Sequence, residues 1–577
     1  MSVVPVSTRR VVGRADAASA AARAGAHLDL VRAPFTLPRS RILMLRDGDR
    51  LRVHTSEYER SLSECVALEA LEVCDSAGVT LPITRVLPHV IEFGDQVSLT
   101  FAGASTWSVG VRSSGDVLVC WTRQPGDEPE EIRIGGPHAA SVVFSLGPSR
   151  EVEVAPSEDH GEHVEATRRV WLDWFASCPV VRPDLQDMAA FCWWVLGANT
   201  VELPHLGDAR AVVPSKIGYV GLWQWDAYFI AVGLRHGDPE LAREQLDLAL
   251  RFPTPDGQLP DVIHEEGILA SSDDLPAADR ETLRRAGSAV ADPSAPVPLT
   301  KPPLAAWAMR KVLEADGADP DWVRRMIGTI RRSQEWWFAH SDLDGDGLPE
   351  YGHPYSSGLD DSPVFDGPLP TTTPDLAAYL VRQDLELADL VERWGAEPEP
   401  DAGRAAAASA HRERARRTLA HLLTLWDEPT GRFRSLAAGR PVASDTIVGL
   451  MPLLTGGLPE AIVETLVTAL DDPRRFATRW PIPTVAVGDP DHDPQRMWRG
   501  PVWVNTNALV ADGLERSGHP DRARTLAERT LELVMHAGGP HEYFDPNTGE
   551  RAAGATTAFG WSAALFIDLA VALSQGD

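Results

Sequence analysis

The hydrophobic period of this chain changes once, near residue 160, and that change limits the folds open to it. Before it, apolar and polar residues alternate in short runs: Arg41-Ile-Leu-Met-Leu, Asp49-Arg-Leu-Arg-Val-His-Thr, Gln96-Val-Ser-Leu-Thr-Phe, Trp107-Ser-Val-Gly-Val, Asp116-Val-Leu-Val-Cys-Trp and Glu151-Val-Glu-Val. Successive side chains of a strand face opposite ways, so alternation between Gly, Asp and Ser turns predicts a β-sandwich. From Val164 onward, apolar residues recur every three or four positions, over 184–202, 225–236, 239–251, 304–316, 320–340, 374–394, 403–426, 502–517, 521–536 and 558–573. That spacing predicts helices, many opening on Asp-Pro, Thr-Pro or Gly-Pro and closing near Gly. With weaker segments around 443–470 there are on the order of a dozen helices, as average helix and loop lengths would give for roughly 400 residues. The expected fold is mainly α: an N-terminal β-sandwich domain over 1–163, then an (α/α)6 barrel over 164–577. A generic helical array has the same periodicity, and no fixed-period repeat is visible.

Two domains suit a chain of 577 residues, which is longer than a single core usually grows. The formal net charge of −29 opposes nucleic-acid binding, which needs a basic surface to displace counterions from phosphates. The five cysteines, Cys65, Cys74, Cys120, Cys178 and Cys192, are odd in number and form no CxxC, so small buried thiols are expected rather than disulfides or a zinc knuckle. Arginines interrupt every apolar stretch of the first 25 residues, which therefore lack a secretory core and resemble a transit peptide only weakly. No stretch has the apolar length of a membrane helix. A cytoplasmic protein with no membrane or nucleic-acid partner is expected; nothing in the sequence speaks to oligomeric state. The polar insert at 268–298 has the length of a lid or of a disordered segment, and the Ala/Arg-rich helix near 404–420 reads as a solvated face.

Tryptophan points to the chemistry. Of eighteen, several fall at loop–helix junctions among charged residues: Trp223, Trp225, Trp307, Trp498, Trp503 and Trp561. Pyranose C–H faces stack on aromatic planes while their hydroxyls need donors and acceptors, so a cleft offering both suits a sugar. The mixture is densest in GLWQWDAYF (221–229), DGQLPDVIHEEG (256–267), YGHPYSSGLDDSPVFD (351–366), MWRGPVWVNTNAL (497–509) and GGPHEYFDPNTGE (538–550). Candidate substrate-binding residues are Trp223, Gln224, Trp225, Asp226, Asp261, Tyr355, Trp307, Trp498, Arg499, Trp503 and Trp561.

In order and spacing, from about residue 184 to the C-terminus, these segments resemble glycoside hydrolase family 63, particularly its bacterial branch of mannosylglycerate and glucosylglycerate hydrolases. Ser357-Gly358-Leu359-Asp360 matches the family's SG-x-D segment, which implies that Asp360 is the catalytic acid. His541-Glu542-Tyr543-Phe544-Asp545-Pro546-Asn547-Thr548-Gly549 matches the run that carries its base, Glu542. Trp225-Asp226 resembles the WD pair whose Asp holds substrate hydroxyls, and Trp498-Arg499-Gly500-Pro501-Val502-Trp503 resembles the WRGPxW loop that lines the sugar pocket. Phe559-Gly560-Trp561-Ser562-Ala563 resembles the closing aromatic segment. Thr300-Lys301-Pro302-Pro303 departs from the pattern, because relatives commonly carry Gln before the proline pair.

The resemblance implies an inverting, exo-acting α-glycosidase on a small glucoside or mannoside. One carboxylic acid protonates the leaving oxygen and one carboxylate activates water on the opposite ring face, which sets them ~6.5–9.5 Å apart. The acid must keep its proton near neutrality, through burial or a nearby carboxylate such as Asp361. Asp361 and Asp366 are rival acids; Glu265 and Glu266 are weaker rivals for the base. Arg499, Lys216 or Lys301 could pair with a substrate carboxylate. The alternatives are another (α/α)6 glycosidase, such as a trehalase or α-rhamnosidase, or a non-catalytic sugar-binding protein on the same scaffold. No HExxH, GxGxxG, P-loop or GxSxG run supports a catalytic metal, a nucleotide or a serine nucleophile, so no cofactor is expected for catalysis. Asp342-Leu-Asp-Gly-Asp-Gly-Leu-Pro-Glu350 places carboxylates at alternating positions like the first half of a calcium loop. Asp342, Asp344, Asp346 and Glu350 are therefore candidate ligands of a structural Ca2+.

Overall fold

Eleven strands occupy residues 42–157 and pair antiparallel in two sheets. The computed structural model that shows them describes residues 13–58, 60–112, 115–264, 299–315, 319–394 and 401–575. The insert at 268–298, Glu265 and Glu266 lie outside the described residues. One sheet runs β1 (Ile42–Asp47), β2 (Arg50–Thr55), β3 (Val66–Asp75), β8 (Val117–Thr122), β9 (Glu130–Ile134). The other runs β11 (Val152–Ser157), β10 (Ser141–Leu146), β7 (Thr106–Val111), β6 (Val97–Gly103), β5 (Val90–Phe93), β4 (Ile83–Leu87). The two sheets meet where Trp121 of β8 stands edge-on to Phe144 of β10, ring centroids 5.3 Å apart. Alternation explains the packing: Leu51 and Val53 are fully buried while Arg50 and Arg52 point outward to Glu72 and Glu69.

Helix α1 (Ala17–Gly25), in the stretch with weak transit-peptide character, buries Ala20 and Ala24 in the common core. Helix α2 (His160–Phe175) begins earlier than the periodicity suggests because His160 is buried: its two ring nitrogens lie 2.9 Å from Ser98 and Ser108 of the second sheet. Its other side carries Trp171 and Trp174, which stack on Trp194 and Trp193 of α3 (Gln186–Ala198). One continuous apolar core therefore joins sheets and helices.

The remaining helices are α4 (Gln224–Leu234), α5 (Pro239–Ala249), α6 (Ala305–Ala315), α7 (Pro320–His340), α8 (Pro374–Trp394), α9 (Asp401–Leu422), α10 (Glu460–Ala469), α11 (Val504–Arg516), α12 (Pro520–His536) and α13 (Gly560–Gln575). Contacts run in a closed circuit from α4 to α6, α8, the 3-10 segment Ile447–Thr455, α11, α13 and back to α4. Helices α5, α7, α9, α12 and α3 pack outside it. The circuit's 3-10 member lies in the weak region around 443–470. Its nine residues are all buried, but Pro452 inside it lacks the N–H an α-helix needs. Helix α9 is more than a solvated face. It buries Ala408 and Ala415, and its His411 and Arg414 both reach Asp384 of α8 at 2.7 Å. No helix among the described residues is long and apolar enough to cross a membrane. All five cysteines are free thiols.

Candidate active site

The circuit helices α4, α6, α11 and α13 all begin beside one cavity. Trp223 and Asp226 stand at the start of α4, Lys301 shortly before α6, Trp503 at the cap of α11 and Trp561 in the first turn of α13. Positive helix ends thus converge on a site that holds carboxylates. Its deep wall is aromatic. Trp498 stacks on Trp503 at 3.6 Å, Trp225 meets Trp561 edge-on at 5.4 Å, and Trp503 meets Trp561 at 5.5 Å. Pro214, Tyr219, Met497 and Phe559 complete the lining.

Asp360 reaches this cavity through the glycine before it. Gly358 has φ +72°, and a Cβ there would stand 2.3 Å from the Trp225 ring, so only glycine allows the turn to press on the indole. Ser357 fixes the same turn, its hydroxyl donating to the Pro354 carbonyl at 2.6 Å and accepting from the Leu359 N–H at 3.0 Å. The Asp360 Oδ1 is buried with no hydrogen-bond partner. Burial raises its carboxyl above the usual range, Lys301 opposing and Asp361 adding to the rise.

Glu542 comes from the far end of the chain, between α12 and α13. Its backbone N–H donates to the Thr556 carbonyl at 2.9 Å, and its Oε2 accepts the Thr556 N–H at 2.8 Å. The Asp545-Pro-Asn-Thr-Gly549 run closes the adjacent turn, where Asp545 accepts from Asn547 and Thr548 and Gly549 takes φ +77°. Burial pushes the Glu542 carboxyl up to about 7, against hydrogen bonds from Thr556 and Tyr219. Asp226, also buried, lies well above its usual range for the same reason, with Lys301 opposing and Asp360 and Glu542 adding. Tyr219 is raised by burial and then by Glu542 and Asp360. Three buried carboxyls thus share one lining with a single cation, Lys301, among the described residues. Lys301 Nζ donates to the Tyr355 carbonyl at 2.5 Å.

Of the residues singled out in the sequence, Trp223, Trp225, Asp226, Lys301, Asp360, Trp498, Trp503, Glu542 and Trp561 line this cavity. The others lie around it. Gln224 and Asp261 are buried behind the wall, the Gln224 N–H donating to the Asp261 carbonyl at 2.7 Å. Tyr355 supplies its carbonyl to Lys301 and sets its ring edge-on to His353. Trp307 packs on Phe229 and donates its indole N–H to Asp512 at 2.6 Å. Arg499 is paired with Asp366, and Asp361 accepts the Trp498 N–H at 2.9 Å and pairs with Arg496 at 3.1 Å, so both rival acids hold the 496–499 loop. Lys216 is buried away from the cavity, donating to the Leu37 carbonyl at 3.1 Å. Tyr219 and Pro214 carried no sequence signal, whereas Met497 opens the 497–509 segment. Tyr219 precedes the tryptophan-rich segment by two residues, which was the nearest cue.

On the outer side, Asp342, Asp344 and Asp346 bring carboxylate oxygens within 4.8 Å of one another. Asp342 Oδ1 is buried without a hydrogen-bond partner. Glu350 accepts the Leu343 N–H at 3.1 Å, and burial with the three nearby aspartates raises its carboxyl to about 7.

A model of the mannosylglycerate hydrolase MGH1-like glycoside hydrolase domain matches residues 219–562. The chain is 30% identical over 413 residues to a mannosylglycerate hydrolase of Thermus thermophilus, covering 61% of this chain and 95% of that protein. It is 24% identical over 455 residues to a glucosylglycerate hydrolase of Mycolicibacterium hassiacum, covering 66% and 97%. In structure it resembles a family 63 mannosylglycerate hydrolase of Thermus thermophilus solved with Tris and D-glycerate. The TM-score is 0.54 at 24% identity, over 65% of this chain and 98% of that one. The chain belongs to the MGH1-like hydrolases of glycoside hydrolase family 63 and is a glycoside hydrolase.

Proposed function

We propose that the protein is an inverting, exo-acting α-glycosidase that cleaves a small α-mannoside or α-glucoside, with Asp360 as general acid and Glu542 as general base. The observation that carries this reading is the shared tryptophan-walled cavity into which two distant segments bring these carboxyls, both raised by burial. A raised acid retains the proton that the leaving oxygen needs. A base near 7 is strong enough to take a proton from water and still ionises at neutral pH. Asp226 and the indoles hold the ring's hydroxyls and C–H faces. The relatives' names direct the substrate search to glycosides of glycerate. The test is incubation with mannosylglycerate, glucosylglycerate and simple α-glucosides while the first-formed sugar is followed by NMR. A β-anomeric product is expected; an α-anomer, or turnover of none of them, overturns the reading.

The same reading takes residues 1–163 as a β-sandwich domain and 164–577 as an (α/α)6 barrel, supported by the two facing sheets and the closed circuit of helices. It also assigns a structural Ca2+ to the 342–350 loop. Hard oxygen donors at alternating positions, a buried unpaired Asp342 oxygen and a Glu350 carboxyl raised by its neighbours fit a divalent cation that would neutralise them. EDTA should then lower the melting temperature by several degrees, and Ca2+ should restore it; an unchanged melting curve removes the assignment.

A further inference from the structure

Tyr58 belongs to the sheet unit, in the connection after β2, yet its ring lies against the wall of the cavity. It stacks on His264 with centroids 4.5 Å apart and planes 13° from parallel, and leans on Trp223 at 6.0 Å. Gly221 permits the approach, since a Cβ there would stand 2.9 Å from the Tyr58 ring. The connection that carries Tyr58 is pinned from two sides. Arg150, in the turn between β10 and β11, donates Nε and Nη2 to the two oxygens of Glu57 at 2.8 Å each. Thr55 Oγ1 donates to the same carboxylate at 2.7 Å. A bidentate arginine holds a carboxylate in one orientation, so the residue next to Glu57 is presented on a fixed base. All of these groups lie outside residues 219–562, the part matched by the family's domain, save Gly221, Trp223 and His264, on which Tyr58 rests.

We propose that Tyr58, with Trp223 and His264, forms the mouth wall on which the leaving group of the glycoside rests, so that the sheet unit sets part of the substrate specificity. The inference rests on the glycosidase reading. Trp225, Trp498, Trp503 and Trp561 are at most 3% exposed and close the deep end, whereas Trp223 is partly open to solvent. A sugar ring seated at the closed end directs its leaving group outward, past Trp223. There a rigid aromatic surface backed by Tyr58 gives contact at small entropic cost.

The test measures kcat and KM of the full-length protein and its Tyr58→Ala, Tyr58→Trp and Glu57→Gln variants on mannosylglycerate and glucosylglycerate. Inhibition by free mannose and glucose, which probe the deep end alone, is measured in parallel. Tyr58→Ala should raise KM by about tenfold and leave kcat and monosaccharide inhibition within about twofold. Tyr58→Trp should recover most of the loss, and Glu57→Gln should show a smaller KM increase of the same kind. An unchanged KM in Tyr58→Ala overturns the proposal. So does a rise in KM accompanied by comparable losses of kcat and of monosaccharide inhibition, since that is damage to the fold. Where the wild-type protein turns over neither of these nor a simple α-glucoside, the inverting α-glycosidase reading fails separately. Calorimetric binding of mannosylglycerate then decides Tyr58: weaker binding by Tyr58→Ala supports it, while equal or undetectable binding in both proteins overturns it.

Discussion

The helices whose first turns surround the cavity bury a second group of charges further along, and the two groups are arranged in opposite ways. In the further group, Asp568 of α13 accepts from Arg235 at 2.8 Å and lies 2.7 Å from His236. Arg382 of α8 reaches Glu386 at 2.7 Å and Asp512 of α11 at 3.4 Å. Burial there opposes ionisation, but the facing cations outweigh it: Arg382, Lys311 and the Trp307 N–H bring Asp512 to about 2, and Arg235, Lys311 and His236 hold Asp568 lower still. In the cavity, three carboxyls face one cation and all rise. Asp226 and Arg235 sit on the same helix, about 14 Å apart at ~1.5 Å rise per residue. The folding cost of a buried carboxyl is therefore offset where it only has to stabilise, and left in place where a substrate is to meet it.

Breaking the cavity group should abolish the chemistry and spare the fold. Asp360→Asn and Glu542→Gln should each lower kcat/KM by about 10²–10⁴-fold with unchanged circular dichroism; near wild-type turnover in either removes that residue from its role. Glu542→Gln should also be more stable than wild type, in a pH-dependent way. A carboxyl raised to about 7 from its ordinary value holds its proton in the folded state after the unfolded chain has released it. Its contribution is therefore neutral below pH ~4 and becomes increasingly destabilising up to pH ~7, at roughly 1.4 kcal/mol per unit. The melting temperatures of variant and wild type should coincide at pH 4 and separate by pH 8. Breaking the paired group should do the reverse. Asp568→Ala leaves buried Arg235 with only a 3.9 Å carboxylate contact, to Glu314, and should cost about 3–5 kcal/mol in denaturant unfolding, while the molecules that remain folded keep their turnover number. A stability loss below ~1 kcal/mol would show that the pairing does not offset the burial.

How much of this was legible in the sequence divides along the same line. The Ser357–Asp360 and His541–Gly549 runs could be read because each is local: a turn, its glycine and its carboxyl lie within a few residues. The period change announced two sheets and a set of helices for the same reason. The paired charges could not be read, since Arg235 meets Asp568 across 333 positions and only the closed circuit of helices brings them together. Trp307 shows the limit sharply. A tryptophan at a helix start beside a cavity and one turned into the core against Asp512 have the same sequence signature. Arg499 looked like a ligand for a substrate carboxylate because its partner, Asp366, lies in another loop. The 3-10 member of the circuit was faint because Gly449 and Pro452 break the helical period while its burial depends entirely on neighbours.

Lys301 is where the two groups come closest in design, and removing it tests the comparison with the smallest perturbation. It is the cavity's counterpart of Arg235, but it serves several carboxyls and its Nζ is directed to the Tyr355 carbonyl. Asp226, Asp360 and His353 each feel its charge, while Asp361, Tyr219 and Glu542 complete the ionisable surroundings of these groups. An inverting pair gives a bell-shaped pH–rate profile whose two limits belong to the pair. On the proposed assignment the rising limb reports mainly ionisation of Glu542, whose carboxyl is raised to about 7, and the falling limb mainly loss of the Asp360 proton. Lys301 favours the ionised form of Asp360, so Lys301→Met should let the acid hold its proton to higher pH. The falling limb should move upward by about one unit, the rising limb should stay in place, and Lys301→Arg should restore the wild-type profile. Were the cation's function only to tie down the Tyr355 loop, Lys301→Met would lower the rate equally at every pH and shift neither limb. The direction of that one limb therefore separates a cation that distributes protons among the cavity carboxyls from one that merely supports their scaffold.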